Sequence, residues 1–146
     1  NVELIRNELL ELKGRGHSII LSTHNMNSVE EICDRAVLIN KGQKLLEGKI
    51  QGLREQYDEG IFNITFKGNM LAFTTALWTG FEIIDKKDHA EDIFSVYIKM
   101  RHDNEVNDLL NAVIGQVKII SVEAVLPTME KVFVKTINAQ KEQVNE

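Results

Sequence analysis

The chain has 146 residues, of which 43% are hydrophobic and 27% charged, and its formal net charge is −5. This composition is typical of a soluble globular protein and excludes collagenous and disordered chains, and no apolar run approaches the roughly 20 residues of a membrane-spanning helix. Residues 1–57 hold eight basic and eight acidic side chains, whereas residues 58–146 hold nine and fourteen. The second part therefore carries the whole net charge, and its acidity argues against a nucleic-acid partner.

This charge asymmetry predicts a domain boundary near Tyr57-Asp58-Glu59-Gly60. We therefore divide the chain into a neutral segment, 1–57, and an acidic segment, 58–146. The chain opens Asn-Val-Glu, without an initiator methionine, a basic leader or an apolar signal core. We expect it to be a piece of a longer protein.

The neutral segment begins with a predicted amphipathic helix that a glycine pair ends at Gly14-Arg15-Gly16. Four apolar side chains recur at helical spacing: Val2, Ile5, Leu9 and Leu12. Residues 18–23 then form a short run whose apolar side chains, Ile19-Ile20-Leu21, stand at consecutive positions. This predicts a strand covered on both faces, as in the parallel sheet of an α/β domain. We expect the helix to pack against that sheet.

A polar stretch, residues 22–28, follows the predicted strand. His24 lies where open parallel sheets bind their ligands, at the carboxyl end of a strand. Asn27 or Ser28 is the predicted cap of a short helix that runs through Cys33, with acidic side chains in its first turn. His24 is the candidate catalytic residue of this segment.

Two short strands and a helix complete the neutral segment. Residues 36–40 and 43–48 are predicted strands, and Lys41-Gly42 between them predicts a tight β-hairpin turn. Lys49 to Tyr57 is a predicted helix.

The order of these motifs resembles the last part of an ABC-transporter nucleotide-binding domain over about residues 1–55. The resemblance is carried by Ser22-Thr23-His24, Glu30-Glu31-Ile32-Cys33-Asp34-Arg35, Asn40-Lys41-Gly42-Gln43 and Glu47-Gly48. It implies a partial α/β fold, the end of a P-loop NTPase-like domain. It also implies that His24 is the switch histidine, which contacts the γ-phosphate of ATP and helps to orient the attacking water.

The same resemblance implies the setting of the complete subunit. It implies ATP and Mg²⁺ as cofactors, a second ATPase subunit and a separate transmembrane permease as partners, and a cytoplasmic position at the inner face of the membrane. The chain contains neither a Gly-x4-Gly-Lys-Ser/Thr loop nor a Leu-Ser-Gly-Gly signature. We therefore expect a C-terminal fragment that does not bind or hydrolyse ATP alone and that self-associates through uncovered apolar faces.

The acidic segment reads strand-helix-strand twice between residues 61 and 126, the βαββαβ plan of a ferredoxin-like α+β domain. The predicted elements are strands at 62–66, 81–85, 94–100 and 117–126, helices at 70–77 and 106–114, and a polar loop at 86–92. Asp103 or Asn104 is the predicted cap of the second helix. A last helix at 128–140 is expected to cover this domain or to dock on the first segment.

Side chains that could carry chemistry in the acidic segment have simpler interpretations. Asp85, Asp88, Glu91 and Asp92 could act as acid/base groups or metal ligands, but a solvated charged loop is the favoured interpretation. Trp78 is interpreted as packing, and Tyr97, Lys99 and Arg101 as the polar face of an antiparallel sheet. A lone Cys33 excludes an internal disulfide, and scattered histidines at 17, 24, 89 and 102 exclude a zinc site, so no metal is expected.

The stretch Pro127-Thr128-Met129-Glu130 to Phe133 resembles the C-terminal domain of ABC ATPase subunits that pair with separate permeases. The predicted function is therefore the C-terminal part of an ABC transporter ATP-binding protein, with a regulatory or dimerisation domain. The alternative is an autonomous ferredoxin-like module for small-molecule sensing or protein interaction, which rests on fold analogy alone.

Overall fold

The computed structural model describes residues 2–77, 79–101 and 104–144. The helices are α1 (Val2–Gly14), α2 (Met26–Ile32), α3 (Ile50–Gln56), α4 (Met70–Ala76), α5 (Val106–Val113) and α6 (Met129–Val144). The strands are β1 (Arg35–Asn40), β2 (Gln43–Lys49), β3 (Ile61–Lys67), β4 (Phe81–Ala90), β5 (Ile93–Met100) and β6 (Lys118–Ala124). Among the helices in these ranges, none has the length and apolar character that crossing a membrane requires.

The chain forms two compact units. The first comprises Asn1–Tyr57 with Pro127–Glu146, and the second comprises Asp58–Leu126. The structure thus groups α6 with the neutral segment, which is the second of the two positions expected for the last helix. The division into domains 1–57 and 58–146 stays a prediction.

The predicted strand at 18–23 is wrong, because residues 17–23 follow α1 without regular structure. A strand needs backbone partners on a neighbouring strand. In the described part of the first unit, β1 and β2 pair only with each other, in a two-stranded sheet. The consecutive apolar side chains are consequently left in solvent, and Ile20 is 100% exposed.

The predicted β-hairpin is confirmed, with β1 and β2 antiparallel and Asn40 opposite Gln43. Lys41 and Gly42 form its two-residue turn and both have positive φ, 49° and 76°. That backbone is the type I′ turn, whose twist matches the twist of the flanking strands. Glycine at the second position removes the Cβ clash that positive φ causes.

The core of the first unit joins α3 to α6. Ile50 and Leu53 of α3 are buried against Met129 and Val132 of α6. Partly buried side chains of α2, the hairpin and the end of α3 surround this cluster: Met26, Val29, Cys33, Ala36, Leu46 and Tyr57. Apolar burial therefore fixes α6 beside the elements that follow His24 in sequence.

The second unit confirms the ferredoxin-like prediction. Its four strands lie in the order β4-β5-β3-β6, and each neighbouring pair is antiparallel. Side chains of α4 and α5 join one face of this sheet in a single core. The buried core residues are Ile64, Phe66, Phe73, Phe81, Val96, Ile98, Leu109, Val113 and Val117.

The predicted polar loop at 86–92 is wrong, because β4 continues to Ala90 and only Glu91 and Asp92 form the turn into β5. β4 is an edge strand, so its side chains meet solvent and carry no apolar alternation that would reveal the strand. Register shifts at 83–85 and 88–90 interrupt its pairing with β5. Such bulges and charges protect a sheet edge from pairing with other chains.

Helix α4 offers a matched pair of substitutions. Phe73 is 0% exposed and stacks on Phe66 with ring centroids 4.2 Å apart, whereas Leu71 on the same helix is 73% exposed. Phe73→Ala should lower the free energy of unfolding by about 3–5 kcal/mol through lost transfer energy and a cavity. Leu71→Ala should change it by less than about 0.5 kcal/mol. Urea unfolding followed by circular dichroism measures both, and equal losses would contradict this core assignment.

Candidate functional site

His24 lies in a bend between residues 17–23 and α2, and its side chain is exposed. The residues on either side hold the bend by local hydrogen bonds. The backbone N–H of Asn25 donates to Thr23 Oγ1 at 3.0 Å, and the N–H of Ser28 donates to Asn25 Oδ1 at 3.2 Å. His24 is therefore an exposed histidine on a hydrogen-bonded bend, and imidazole nitrogens can donate to or accept from a ligand.

The cap of α2 differs from the sequence prediction. Asn25 caps the helix, rather than Asn27 or Ser28, which both lie inside it. Its amide oxygen reaches the backbone N–H three residues on, the geometry of an N-cap. Because the helix begins at Met26, the acidic pair Glu30-Glu31 falls beyond its first turn.

Lys13 holds the other end of α2. Its ammonium donates to the backbone carbonyl of Ile32 at 3.0 Å and lies 2.7 Å from Asp34 Oδ1. The carbonyl at a helix C-terminus has no partner within the helix, and a lysine there both donates to it and complements the helix dipole. Lys13 thereby joins α1 to α2.

Cys33 directly follows α2 and is partly buried. Burial raises the pKa of its thiol, and the positive charge of Lys13 opposes that rise while the carboxylate of Asp34 adds to it. A raised pKa leaves little thiolate at neutral pH, and the thiolate is the reactive form. Cys33 is therefore a packing residue rather than a nucleophile.

The sequence did not reveal a polar junction between α2, α3 and α6. Glu30 and Arg54 form its side chains, and Pro127 and Met129 supply backbone groups at the start of α6. Nothing local marks these residues, because a glutamate on a short amphipathic helix has the pattern of any solvent-facing charge. Only the approach of α6 makes them partners.

The carboxylates of the β4–β5 hairpin form exposed ion pairs. Asp92 lies 3.1 Å from Lys67, and Asp88 lies 3.9 Å from Lys86. In the described ranges, no group of three or more His, Cys, Asp or Glu side chains is placed to hold a metal ion. The side chains of Asp88 and Asp92 are exposed, as expected for solvated carboxylates. Trp78 and Asp103 lie outside the described residues.

The polar sheet face carries a short hydrogen-bonded chain. His89 Nε2 and Thr65 Oγ1 each lie 2.7 Å from the hydroxyl of buried Ser95. Lys87 approaches the ring of Tyr97, 5.2 Å from its centroid. His89 and Thr65 provide hydrogen-bond partners for a hydroxyl that is buried in the sheet. Buried hydroxyls need such partners, so these contacts are explained by structure and do not indicate a catalytic role.

Comparison with known proteins identifies similar chains. Residues 48–137, more than half of the chain, match the family described as ATP-binding protein DrrA1-3-like, C-terminal domain. An uncharacterized ABC transporter ATP-binding protein of Bacillus subtilis is 26% identical over 140 residues, which cover 95% of this chain and 44% of that protein. A second, of Methanocaldococcus jannaschii, is 43% identical over 53 residues, 36% of this chain and 20% of that protein.

The Nod factor export ATP-binding protein I of a Rhizobium species is 43% identical over 54 residues, 37% of this chain and 18% of that protein. The chain thus spans less than half the length of these curated relatives. The matches to the Methanocaldococcus and Rhizobium proteins cover only about a third of this chain, whereas the match to the Bacillus protein covers nearly all of it.

The environment of Cys33 predicts its alkylation chemistry. The pH midpoint of its alkylation rate should lie above that of the same chain unfolded in urea, where a thiol titrates at about 8.5. Lys13→Ala should move the midpoint further up, because it removes the positive charge that lowers the pKa. Lys44→Ala, which removes a charge paired with Glu47, is the control and should leave it in place. A midpoint at or below the unfolded value would contradict the assignment.

Proposed function

The chain belongs to the family of DrrA1-3-like ATP-binding proteins through their C-terminal domain, and we propose that it is the C-terminal part of a subunit that powers transmembrane transport by ATP hydrolysis. The observation that carries the proposal is the family match together with similarity to ABC transporter ATP-binding proteins over 95% of the chain. The ABC resemblance inferred from the motifs around His24 is thereby confirmed at the level of the family.

In the proposal, His24 is the residue of this C-terminal part that takes part in ATP hydrolysis. Phosphoryl transfer depends on positioning and on electrostatic stabilisation of the transferred group. An exposed imidazole on a hydrogen-bonded bend is suited to donate to a γ-phosphate oxygen and to orient water. This switch role, rather than proton abstraction, is the one we propose.

ATP and Mg²⁺ are the cofactors proposed for the complete subunit. The residues described here provide neither a glycine-rich phosphate loop nor a cluster of metal ligands. In the proposal the triphosphate and the cation are held by other segments of the subunit. His24 adds one contact to that site, and the isolated chain does not hydrolyse ATP.

The proposed partners are a second copy of the subunit and a separate permease, which places the protein at the cytoplasmic face of the membrane. Relatives named as ABC transporter ATP-binding proteins support this assignment. In the proposal, residues 58–146 are a regulatory or dimerisation domain. Its predicted boundary and its role remain part of the proposal.

Replacing the imidazole tests the switch role. In the complete subunit with its permease, His24→Ala should lower the rate of ATP hydrolysis about a hundredfold or more, because losing one hydrogen-bond donor to the charge that develops in the transition state costs that much. Nucleotide binding should change much less, since the contact matters most in the transition state. His17→Ala, an exposed histidine seven positions earlier, is the matched control. Wild-type turnover in His24→Ala would overturn the role.

The isolated chain should self-associate through its exposed apolar side chains. Leu4, Ile5 and Ile20 are all exposed in the first unit, and such surface favours burial against another copy. Sedimentation velocity at rising concentration should give masses above the 16.6 kDa of the monomer. Leu4→Ser with Ile20→Ser should move the distribution toward the monomer, and Leu71→Ser on α4 is the control. A monomer at every concentration would contradict this.

A further inference from the structure

Glu30 makes a contact that its neighbour Glu31 does not. Its side chain is 20% exposed, against 48% for Glu31. The Glu30 carboxylate accepts a hydrogen bond from the backbone N–H of Met129, and its other oxygen lies 3.7 Å from Arg54 Nη1. The carboxylate therefore meets the first residue of α6 and a cation of α3 at once.

Arg54 completes the junction from the other side. Its Nε donates to the backbone carbonyl of Pro127 at 2.8 Å. The two side chains thus hold both ends of the tripeptide that opens α6, one through the Pro127 carbonyl and one through the Met129 amide. Charged groups strengthen both hydrogen bonds, and partial burial limits their screening by salt.

This junction is more than a local helix cap. Thr128 already caps α6, because its hydroxyl accepts from the N–H of Lys131 at 3.3 Å. The backbone N–H of Met129, in the first turn of α6, is a further donor that has no acceptor within the helix. Glu30 supplies that acceptor from 99 positions earlier in the chain. The bond exists only while α2 and α6 keep their mutual position.

Helix α2 carries this constraint toward His24. It has only seven residues, about 10 Å at 1.5 Å per residue, and it begins at Met26, one residue after its cap Asn25. Lys13 holds its C-terminus and Glu30 holds it against α6. The bend that carries His24 is the N-terminal extension of this helix, which the exposed Arg6–Glu31 ion pair also joins to α1.

We propose that Glu30, with Arg54, is a positioning residue that sets the His24 bend through its hold on the start of α6. The inference rests on the proposed function for its effect on catalysis. It adds that the last helix governs the geometry of the imidazole.

The test uses the complete subunit with its permease and three variants. Glu30→Ala removes both contacts, and Glu30→Gln keeps an oxygen that accepts from Met129. Glu31→Ala, which removes only an exposed ion pair with Arg6 of α1, is the matched control on the same helix. With turnover normalised to bound nucleotide, Glu30→Ala should lower kcat about tenfold and change KM for ATP by no more than about twofold. This pattern is expected because a misplaced His24 would lose a contact that is made only in the transition state. Glu30→Gln should restore most of kcat, and Glu31→Ala should match wild type.

Hydrogen exchange of the same proteins provides the readout independent of catalysis. Glu30→Ala should speed amide exchange both in residues 24–32 and in residues 127–135, although only the first range contains the substitution. Arg54→Ala should have a similar effect on kcat, and the double variant should be no worse than either single one, because the residues act as one junction.

Two results would overturn the inference. One is unchanged exchange at 127–135 in Glu30→Ala, and the other is faster exchange in both ranges with kcat unchanged, which would leave Glu30 a structural residue only. Failure of the proposed function is a separate observation, namely normal turnover in His24→Ala. In that case the exchange measurement alone decides whether Glu30 holds the His24 bend.

Discussion

The burial of Met129 and Val132 against Ile50 and Leu53 is the interaction on which the first unit depends. Residues 17–23 lack strand partners and the hairpin has only two strands, so neither provides a core. Two-stranded hairpins are at best marginally stable without such packing. The apolar face of α6 supplies the missing surface, and the hydrophobic effect is the dominant favourable term in holding such elements together.

The polar contacts around the candidate site follow from that burial. Once α6 lies against α3, its first turn comes within reach of Glu30 and Arg54, where the N–H of Met129 donates to Glu30 and the carbonyl of Pro127 accepts from Arg54. Lys13 adds a second hold at the far end of α2. The bend at His24 is thus built on a helix whose attachments to α1 and α6 depend on tertiary packing, while its own hydrogen bonds are local.

Periodicity predicted the elements whose two faces differ. The hairpin with its Lys41-Gly42 turn and the βαββαβ order of the second unit are confirmed, because alternation and turn residues are properties of the local chain. Prediction failed at 18–23, where an apolar run fits a buried strand but no neighbour pairs with it. It failed again at 86–92, where an edge strand carries charges on both sides and has the composition of a loop.

Residue types at short spacing were enough to give the family resemblance and the ferredoxin-like order, whereas His24, expected at the carboxyl end of a strand, lies in a bend that follows residues without regular structure. Tertiary packing was needed to show that α6 groups with residues 1–57 and that Glu30 meets the first amide of α6. The physical reason is that helical periodicity shows which face of α6 is apolar but not what will cover it. A contact between residues 99 positions apart depends on that choice of partner, which local patterns do not encode.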